Sequence, residues 1–370
     1  MNRWILDLPP NRTRRAYPGG LLLEELEGKS NPHDSDRPED WVASVVAARN
    51  PGLAPIENEG LATLRDGKGG SALLKDVIET DPCHYLGPRH VDARGTNPGF
   101  LLKLLDSATR LHVQVHPTRE FARCHLNSPF GKLECYHIIA TRPGTRAFIW
   151  LGFQHPPTKA EFRRVVSEQD IPAMASWFDT IPVEPGETWL VPGGMLHAIG
   201  GGILLIEMME PSDLSIRFEF ERAGVKIPPE ARFLGKDVDF AMDMIDFSPH
   251  PVIDVFQKYR IQPRCIREDA ACSEHVLVDG RHVDCFEARK VVIRGAASIP
   301  KDDRLLVYIT IKGSGQLQVK DEIVAVKEGS KVLIPAAATS VTAKPSGNTP
   351  LELIGCMPGA ITSPLTKKDG

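Results

Sequence analysis

Apolar residues along the chain occur in short runs that glycine and proline separate. The chain contains 31 glycines and 31 prolines, and the runs between them either alternate apolar with polar residues or are wholly apolar. An alternation with a period of two directs every second side chain to the same face of a strand. Short strands between frequent turn residues are typical of a β-sandwich or barrel. The strands predicted in this way cover residues 111–116, 188–191, 203–206, 305–311 and 331–334.

Other segments follow a helical period or none. Thr158 and Glu161 form a capping box, and apolar residues at helical spacing follow: Phe162, Val165 and Val166. A second apolar stripe predicts a helix over 237–246, through Val238, Ala241, Met242 and Ile245. Residues 223–234 lack regular periodicity and are interpreted as a connector between two halves. Residues 262–280 form a second irregular stretch, which we expect to lead into a final β-domain.

The C-terminal half repeats one spacing of the N-terminal half. Gly186, Pro192 and His197 are matched at the same spacing by Gly329, Pro335 and Ser340. The repeat keeps the turn residues and replaces the histidine. A single spacing match is weak evidence, so a second barrel of the same kind without a metal is a hypothesis at this point.

Size and charge narrow the class of protein. A length of 370 residues suggests about two domains. The hydrophobic content of 42% and the charged content of 25% are ordinary for a soluble globular protein. A net charge of −4 gives no indication of binding to nucleic acid or to an anionic membrane. No apolar run approaches the roughly 20 residues that cross a bilayer.

The N-terminus and the cysteines bear on the compartment. The first ten residues contain no long apolar core, so they do not resemble a signal peptide. The cysteines are odd in number and form no CxxC pair, so free thiols in a reducing cytosol are expected. We therefore expect a cytoplasmic protein, and the pattern leaves the oligomeric state open. The seven cysteines are Cys83, Cys124, Cys135, Cys265, Cys272, Cys285 and Cys356.

The strand predicted over 111–116 carries polar side chains on one face. The period of two places His112, Gln114 and His116 together, opposite three apolar residues that would pack on a core. In the next segment Lys132 and Glu134 share a face by the same rule. One face of each segment would therefore present polar groups to a shared space.

His197 follows the turn 192–194, whose glycines allow the chain to change direction. Two imidazoles, the carboxylate of Glu134 and the amide oxygen of Gln114 would form a mixed N/O set suited to a divalent metal. A lone histidine in a strand more often bonds a backbone group, and a lone glutamate is usually solvated. From spacing alone, the metal site and these ordinary roles both remain open.

Five segments together resemble the type I mannose-6-phosphate isomerase family of the cupin superfamily. Residues 102–117 are similar to its K-x-L-D-A-x-x-x-L-S-V-Q-V-H-P segment, and residues 131–135 to its G-K-x-E-x. Residues 191–200 resemble V-P-A-G-x-x-H-A-I-G, and residues 207–217 resemble E-x-x-x-x-S-D-x-x-x-R. Residues 39–44 are similar to E-x-W-x-x-S. All five occur in the family's order.

The resemblance implies a mainly β fold with two cupin-type β-barrels or jelly rolls and helical insertions. It places a catalytic metal-binding domain at 1–225, with a helical insertion near 157–180, and a helical connector at 226–262. A C-terminal cupin domain without metal ligands would occupy 263–370. One Zn²⁺ per chain, or another divalent metal, would be held by Gln114, His116, Glu134 and His197. The substrate would be a sugar or sugar phosphate, contacted by Lys103, His112, Asp213 and Arg222.

The implied reaction is aldose–ketose isomerisation of mannose 6-phosphate and fructose 6-phosphate through an enediol. It requires an acid and base together with stabilisation of charge on the sugar oxygens. Glu207 is the expected acid/base, and a strand-end carboxylate bonding loop amides is the alternative. Arg217 would stabilise the enediolate, and an ion pair with Asp213 is the alternative. Lys132 would polarise an oxygen or bind phosphate, unless it is simply solvated.

Two residues bear on which sugar is accepted. Lys103 lies in an apolar run and must either snorkel or pair. His112 stands where the family usually has a serine that contacts the substrate phosphate. The larger imidazole could grip a phosphate, exclude it, or support the metal ligands. Arg222 is retained, but the aromatic residues around it differ from those of bacterial relatives.

Three other functions compete with this prediction. The first is isomerisation of a different or unphosphorylated aldose. The second is a cupin oxygenase, because two histidines and one carboxylate resemble the set that holds Fe(II). Gln114 and the neighbouring cations argue against it. The third is a non-catalytic sugar-binding cupin, which the complete acid/base set disfavours.

Overall fold

A computed structural model describes residues 3–65 and 70–361, and strands dominate it. The strands of the first 226 residues are, in chain order, β1 (Leu6–Asp7), β2 (Arg12–Thr13), β3 (Glu39–Val42), β4 (Thr63–Arg65), β5 (Ser71–Leu73), β6 (Leu101–Ser107), β7 (Gln114–Val115), β8 (Glu134–Thr141), β9 (Phe148–Leu151), β10 (Ile181–Pro182), β11 (Thr188–Val191), β12 (His197–Ile199), β13 (Ile203–Met209), β14 (Ile216–Arg217), β15 (Glu221–Arg222) and β16 (Val225–Lys226).

The remaining strands of the described chain begin after the connector. They are β17 (Arg260–Ile261), β18 (Arg264–Glu268), β19 (Cys272–Val278), β20 (Phe286–Ile293), β21 (Ala297–Pro300), β22 (Leu306–Lys312), β23 (Ser314–Val319), β24 (Glu322–Lys327), β25 (Lys331–Ile334), β26 (Ser340–Pro345) and β27 (Leu351–Pro358).

The helices are short and lie between strands. They are α1 (Leu21–Leu26), α2 (Leu74–Thr80), α3 (Pro82–Leu86), α4 (Pro88–Arg94), α5 (Arg119–His125), α6 (Lys159–Glu168), α7 (Ile171–Ala175), α8 (Val238–Met242) and α9 (Val252–Tyr259), with a 3₁₀ helix at Pro229–Gly235. Among the described residues, no helix has the length and apolar character needed to cross a membrane.

Four sheets form two sandwiches. In the first sandwich, a sheet of order β10-β9-β12-β7-β14 faces a sheet of order β17-β11-β8-β13-β6-β3-β2. In the second, a sheet of order β24-β23-β26-β21 faces a sheet of order β1-β25-β22-β27-β20-β19-β18. The mainly β prediction with two jelly-roll-like units is confirmed, although the sheets are not closed barrels.

The two seven-stranded sheets pack against each other through their outer faces. The buried apolar side chains between them come from alternate positions of the central strands: Leu102, Leu104, Cys135, Ile206 and Met208 from one sheet, and Ala288, Val307, Ile309, Leu333, Ile354 and Cys356 from the other. The intervening side chains of each strand therefore point into its own sandwich. The helices α6, α7 and α8 cover the outer face of the five-stranded sheet.

Each of the two seven-stranded sheets takes one edge strand from the other half of the chain. β1 pairs with β25, and β17 pairs with β11. This exchange covers two sheet edges that would otherwise be exposed. The domain boundaries at 225 and 262 stay a prediction, and residues 1–2, 66–69 and 362–370 of the predicted ranges lie outside the described residues.

Several local predictions are confirmed. Strands β11 and β25 have the predicted bounds, and β13 and β22 extend or shift theirs by a few residues. The hydroxyl of Thr158 accepts a hydrogen bond from the amide of Glu161, so α6 begins where the capping box predicted. The repeated spacing also has a structural basis. The two seven-stranded sheets arrange their strands equivalently, and β11 and β25 are each the second strand in their sheet.

Three local predictions were wrong in extent or kind. Only Gln114 and Val115 of the predicted strand 111–116 form a ladder, because the chain before them bonds singly to neighbouring segments. The helix predicted over 237–246 ends at Met242 in a turn. The stretch 262–280 contains β18 and β19; charged side chains along the exposed β18 concealed its strand character, as is common for edge strands.

We predict that a buried ion pair between the halves is important for stability. Lys331 on β25 is 2% exposed and pairs with Asp40 on β3. Replacing Lys331 with methionine leaves the Asp40 carboxylate buried without its cation, so the free energy of unfolding should fall by about 3–5 kcal/mol. Urea unfolding followed by tryptophan fluorescence measures this loss.

Lys290→Met is the matched control on the same sheet. Lys290 lies 2.7 Å from Glu352 and its side chain is 31% exposed. A partly solvated pair contributes about 1 kcal/mol or less. Equal losses in the two variants would contradict the importance of the buried pair.

Candidate metal centre

The four predicted ligands lie on neighbouring strands of one sandwich. Gln114 on β7 is paired with His197 at the start of β12. His116 follows β7 directly, and Glu134 begins β8 of the facing sheet. All four are buried, so their side chains meet between the two sheets.

The turn before His197 requires glycine. Gly194 has φ +85°, and its amide donates to the carbonyl of His116 at 2.7 Å. A Cβ on Gly193 would lie 2.8 Å from the carbonyl oxygen of Pro117. The two glycines let this turn approach the end of β7 closely, and His197 then faces His116.

Three of the four side chains converge on a common point. Ligand atoms of His116, Glu134 and His197 all lie within 4.8 Å of one another. The Nε2 atom of His116 is 3.1 Å from Oε1 of Glu134, and Nε2 of His197 is 3.6 Å from Oε2. For Gln114 the amide nitrogen, rather than the oxygen, lies 3.4 Å from His197 Nε2, and the oxygen accepts from the hydroxyl of Ser215.

Surrounding groups orient the ligands. Nδ1 of His116 lies 3.0 Å from the carbonyl of Leu214, and Nδ1 of His197 lies 2.9 Å from the carbonyl of Met195. A ring that donates from Nδ1 has an unprotonated Nε2, whose lone pair can bind a metal. Partners of this kind are usual around metal-binding histidines. The ammonium of Lys132 also lies 3.1 Å from Nε2 of His116.

The charges around Glu134 favour its ionised form. Burial alone would raise its pKa, but the ammonium of Lys132, 2.9 Å from Oε1, and His116 hold the pKa well below its usual range. Burial, followed by Lys132, lowers the pKa of His116 to about 3, and burial also lowers that of His197. Neutral imidazoles and an ionised carboxylate are the protonation states that a metal requires.

This donor set fits a divalent metal. Two neutral ring nitrogens and a buried carboxylate, with an amide nearby, match the ligand types of zinc and related ions. The buried carboxylate already has a cation beside it, the ammonium of Lys132. Among the described residues a second group, Cys265, Glu268 and His275, is also close enough to share an ion, but its cysteine and glutamate are exposed.

A cavity adjoins the ligands and contains most of the predicted substrate residues. Its lining includes the predicted residues Lys103, His112, Gln114, Lys132, Glu207, Asp213 and Arg217. It also includes residues that the sequence interpretation did not assign to the site: Arg15, Tyr17, Glu39, Leu105, Leu111 and Ser215. The cavity thus presents cations and carboxylates to one space beside the metal ligands.

Lys103 and Glu207 form a buried ion pair in this lining. The Lys103 ammonium is 2.8 Å from Glu207 and 3.6 Å from Glu39, so Lys103 pairs rather than snorkels. Burial, together with the negative charge of Glu134, raises the pKa of Glu207 to about 7. A carboxyl group with such a pKa exchanges protons readily near neutral pH.

Asp213 and Arg217 do not form the ion pair considered as an alternative. The guanidinium of Arg15 binds both oxygens of Asp213, at 3.1 and 3.2 Å. In the described part of the chain, no ion pair or hydrogen bond of the Arg217 guanidinium is observed. Arg217 is therefore available to a ligand in the cavity.

Arg222 lies outside the cavity lining. Its guanidinium donates to the carbonyl of Arg110 at 2.7 Å and to Glu219 at 3.2 Å. Its predicted contact with substrate stays a prediction.

His112 is buried in the cavity wall beside cations. Burial, followed by the charge of Arg217, lowers the pKa of His112 to about 2, so the ring is neutral. Its Nε2 atom is buried and has no hydrogen-bond partner among the described residues. The ring therefore fills space in the lining without contributing a positive charge.

Comparisons with known proteins show which family this chain resembles. The sequence profile described as "Mannose-6-phosphate isomerase, cupin domain" matches residues 281–349. The probable mannose-6-phosphate isomerase GmuF of Bacillus subtilis is 30% identical over 323 residues, which cover 86% of this chain and 89% of the relative. The mannose-6-phosphate isomerase ManA of the same organism is 27% identical over 64% of this chain and 69% of its own.

The chain belongs to the mannose-6-phosphate isomerase family. Solved structures share its fold. The mannose 6-phosphate isomerase of Bacillus subtilis, at 23% identity, has a TM-score of 0.73 over 96% of this chain and 99% of its own. A zinc-bound mannose 6-phosphate isomerase, at 16% identity, has a TM-score of 0.71 over 97% of this chain and 100% of its own. The resemblance inferred from the five segments is thus confirmed.

The sequence contained a signal for some of the lining residues that the interpretation missed and none for others. Glu39 begins the segment 39–44 that carried part of the resemblance, and it accepts from Tyr17, Trp41 and Arg15. Its place in that segment was a usable signal. Arg15 and Tyr17 precede every recognised segment, and only the folded chain brings them to the cavity.

We predict that His197→Ala weakens metal binding by at least about 100-fold, because it removes a direct ligand from a preorganised set. The measurement is metal content after dialysis, combined with a Zn²⁺ titration against a competing chelator. Wild-type protein should retain a metal ion that the variant loses.

His137→Ala is the matched control for this variant. His137 is also buried and lies on β8, but Nδ1 pairs with the hydroxyl of Thr188, 3.0 Å away. This control should keep its metal. Loss of metal from both variants, or from neither, would contradict the assignment of His197.

Proposed function

We propose that the chain is a zinc-dependent isomerase that interconverts mannose 6-phosphate and fructose 6-phosphate through an enediol. The observation that carries this proposal is the buried Lys103–Glu207 ion pair, which lines a cavity beside His116, Glu134 and His197. A metal-binding set, a carboxyl group with a pKa near neutrality and cations beside the substrate oxygens are the parts that this reaction needs.

His116, Glu134 and His197 would hold the zinc, with Gln114 as a fourth ligand. The Gln114 amide can present its oxygen after rotation by 180°, because the Ser215 hydroxyl can donate to the oxygen or accept from the nitrogen. A bound divalent metal polarises the sugar carbonyl and orients the hydroxyls of the open chain. The same ligands would also suit other divalent metals.

Glu207 would move the proton between the two carbon atoms. In the forward direction it takes the proton from C2 of the aldose, the electron pair of that bond forms the C1–C2 double bond, and the electron pair of the carbonyl bond moves to O1. The proton is then returned to C1, and the hydroxyl proton of O2 passes to O1, which gives the ketose. Its raised pKa suits both halves of this transfer. Lys103, at 2.8 Å, holds the carboxylate in position.

Arg217 and Lys132 would stabilise the negative charge that develops on the sugar oxygens. Arg217 has no competing carboxylate partner in the described part of the chain, and a guanidinium does not lose its proton in a protein. The Lys132 ammonium lies 2.9 Å from Glu134, so it adjoins both the metal ligands and the cavity. Cations that are already in place lower the activation barrier of the reaction, because they need not move as the negative charge develops.

Isomerase activity is tested directly with the purified protein. We expect turnover of mannose 6-phosphate in an assay coupled to fructose 6-phosphate formation, its loss after EDTA treatment, and its return with added Zn²⁺. Turnover that survives complete removal of the metal would contradict the proposal.

The same assay tests the role of Glu207. Glu207→Gln keeps the shape of the side chain but removes the proton-transferring group, so kcat should fall by about 10²–10⁴-fold. Glu221→Gln is the exposed control on β15 and should keep wild-type kinetics. Retained metal in the Glu207 variant separates loss of catalysis from loss of the metal site.

A second candidate function is isomerisation of an unphosphorylated or different aldose. The observation that favours it is His112, whose neutral ring occupies cavity wall where a smaller residue would leave room for an anion. Under this alternative, His112→Ser raises kcat/KM for mannose 6-phosphate relative to free mannose. Steady-state kinetics on both sugars measure the ratio, and an unchanged or lower ratio excludes the alternative.

We propose that the protein acts in the cytoplasm, a location supported by its seven unpaired cysteines.

A further inference from the structure

The C-terminal sandwich contains a second cavity of nearly the same volume as the first. It spans about 370 Å³ when the space at its open mouth is counted, against about 390 Å³ for the cavity beside the candidate metal ligands, counted in the same way. Its polar lining consists of Glu274, Arg289, Lys301, Asp302, Arg304 and Tyr308. The isomerase proposal uses none of these groups.

The two cavities occupy equivalent places in the two sandwiches. In the first, Tyr136 pairs with Glu207 across the ladder, and Glu207 pairs with Lys103. In the second, Tyr308 pairs with Gly355, and Gly355 pairs with Arg289. The sheets have the same strand order, so Tyr308 is the counterpart of Tyr136 and Arg289 is the counterpart of Lys103.

One more pair of lining residues is equivalent in the two cavities. Glu39 pairs with Leu105, two residues beyond Lys103 on β6. Glu274 pairs with Val291, two residues beyond Arg289 on β20. The second cavity therefore has a carboxylate, a cation and a phenol at the ladder positions that Glu39, Lys103 and Tyr136 hold in the first sandwich.

The positions that carry metal and proton-transfer chemistry in the first cavity have changed. Glu134 pairs with Val191, the last residue of β11, whereas the counterpart pair is Leu306 with Ile334. Gly355 stands for Glu207, and Ser340, the first residue of β26, stands for His197. The second cavity thus retains polar lining groups without a metal set or an acid/base.

The charges of this lining are balanced once Glu287, a carboxylate outside the lining that pairs with Arg289 and Arg304, is counted. Arg289 pairs with Glu274 at 2.8 Å and with Glu287, and Arg304 pairs with Glu287 at 2.9 Å and with Asp302. Within the described part of the chain, Lys301 has no carboxylate partner, and its ammonium donates to the carbonyls of Asp302, Ala336 and Ala338. A phosphate would have to displace a carboxylate from an arginine, or these carbonyls from Lys301, in order to bind here.

Free hydrogen-bonding capacity remains in the lining. Tyr308 is 3% exposed, and no hydrogen bond of its hydroxyl is observed among the described residues. The observed side-chain bonds leave one oxygen of Glu274 and two N–H groups of Arg289 without a side-chain partner among the described residues. A carboxylate, a guanidinium and a phenol side by side offer the donors and acceptors that vicinal hydroxyls need.

We propose that the C-terminal cavity binds an uncharged polyhydroxylated molecule, a hexose or hexitol, without a metal. The inference rests on the lining and its equivalence to the first cavity, not on isomerase activity. D-mannitol is a suitable probe because it has the hydroxyls of a hexose and no carbonyl group to isomerise.

The test is isothermal titration of the full-length, metal-loaded protein with D-mannitol. Tyr308→Phe removes one hydroxyl and Glu274→Gln removes one acceptor charge, so each should weaken mannitol binding by about tenfold. Both variants should keep wild-type kcat and KM for mannose 6-phosphate, because neither residue lines the first cavity. Unchanged thermal unfolding would show that the variants are folded.

Tyr136→Phe is the matched control in the first sandwich, because Tyr136 is the counterpart of Tyr308 and donates to Glu134 at 2.5 Å. It should leave mannitol binding intact. Absence of mannitol binding to the wild type would overturn the proposal. Equal binding by Tyr308→Phe and wild type would also overturn it, and so would preferential weakening by Tyr136→Phe. A lining that binds inorganic phosphate more tightly than mannitol would contradict the uncharged ligand class.

Discussion

The packing of the two seven-stranded sheets against each other is the constraint on which the site depends. That contact buries Leu102, Cys135 and Met208 on one face of their strands. Because strand side chains alternate, their neighbours Lys103 and Glu207 must point the other way, into the sandwich. Apolar packing between the halves thus determines that polar groups of three adjacent strands share one cavity.

Groups placed in this way are costly to bury unless they are paired. The molecule meets that requirement with a connected series of contacts. Glu39 accepts from Tyr17 and Arg15, and Lys103 lies between Glu39 and Glu207. Each buried charge has an opposite charge within a few ångströms, which offsets its loss of hydration. Arg217 is the exception among the described lining residues, and that makes it the cation available to a ligand.

The two halves show how one scaffold supports different chemistry. The sheets share their strand order, and the segment from glycine to proline precedes equivalent strands in both. Tyr136 and Tyr308 hold the same place, whereas Glu134 corresponds to Leu306. A few differences on the inward faces therefore separate the candidate metal centre from the C-terminal cavity, while the apolar faces that join the sheets remain.

The sequence by itself determined the β-rich fold, the capping of α6, the four ligand candidates and the family. These features depend on local periodicity or on short ordered segments, such as the one that contains His116. It did not reveal β18, whose polar pattern reflects an exposed edge, or the contributions of Arg15 and Tyr17 to the cavity. Only the tertiary structure showed that Asp213 forms its ion pair with Arg15, because partners about 200 residues apart leave no periodic signal in the sequence. It also decided that His112 is neutral, because burial and nearby arginines set its pKa.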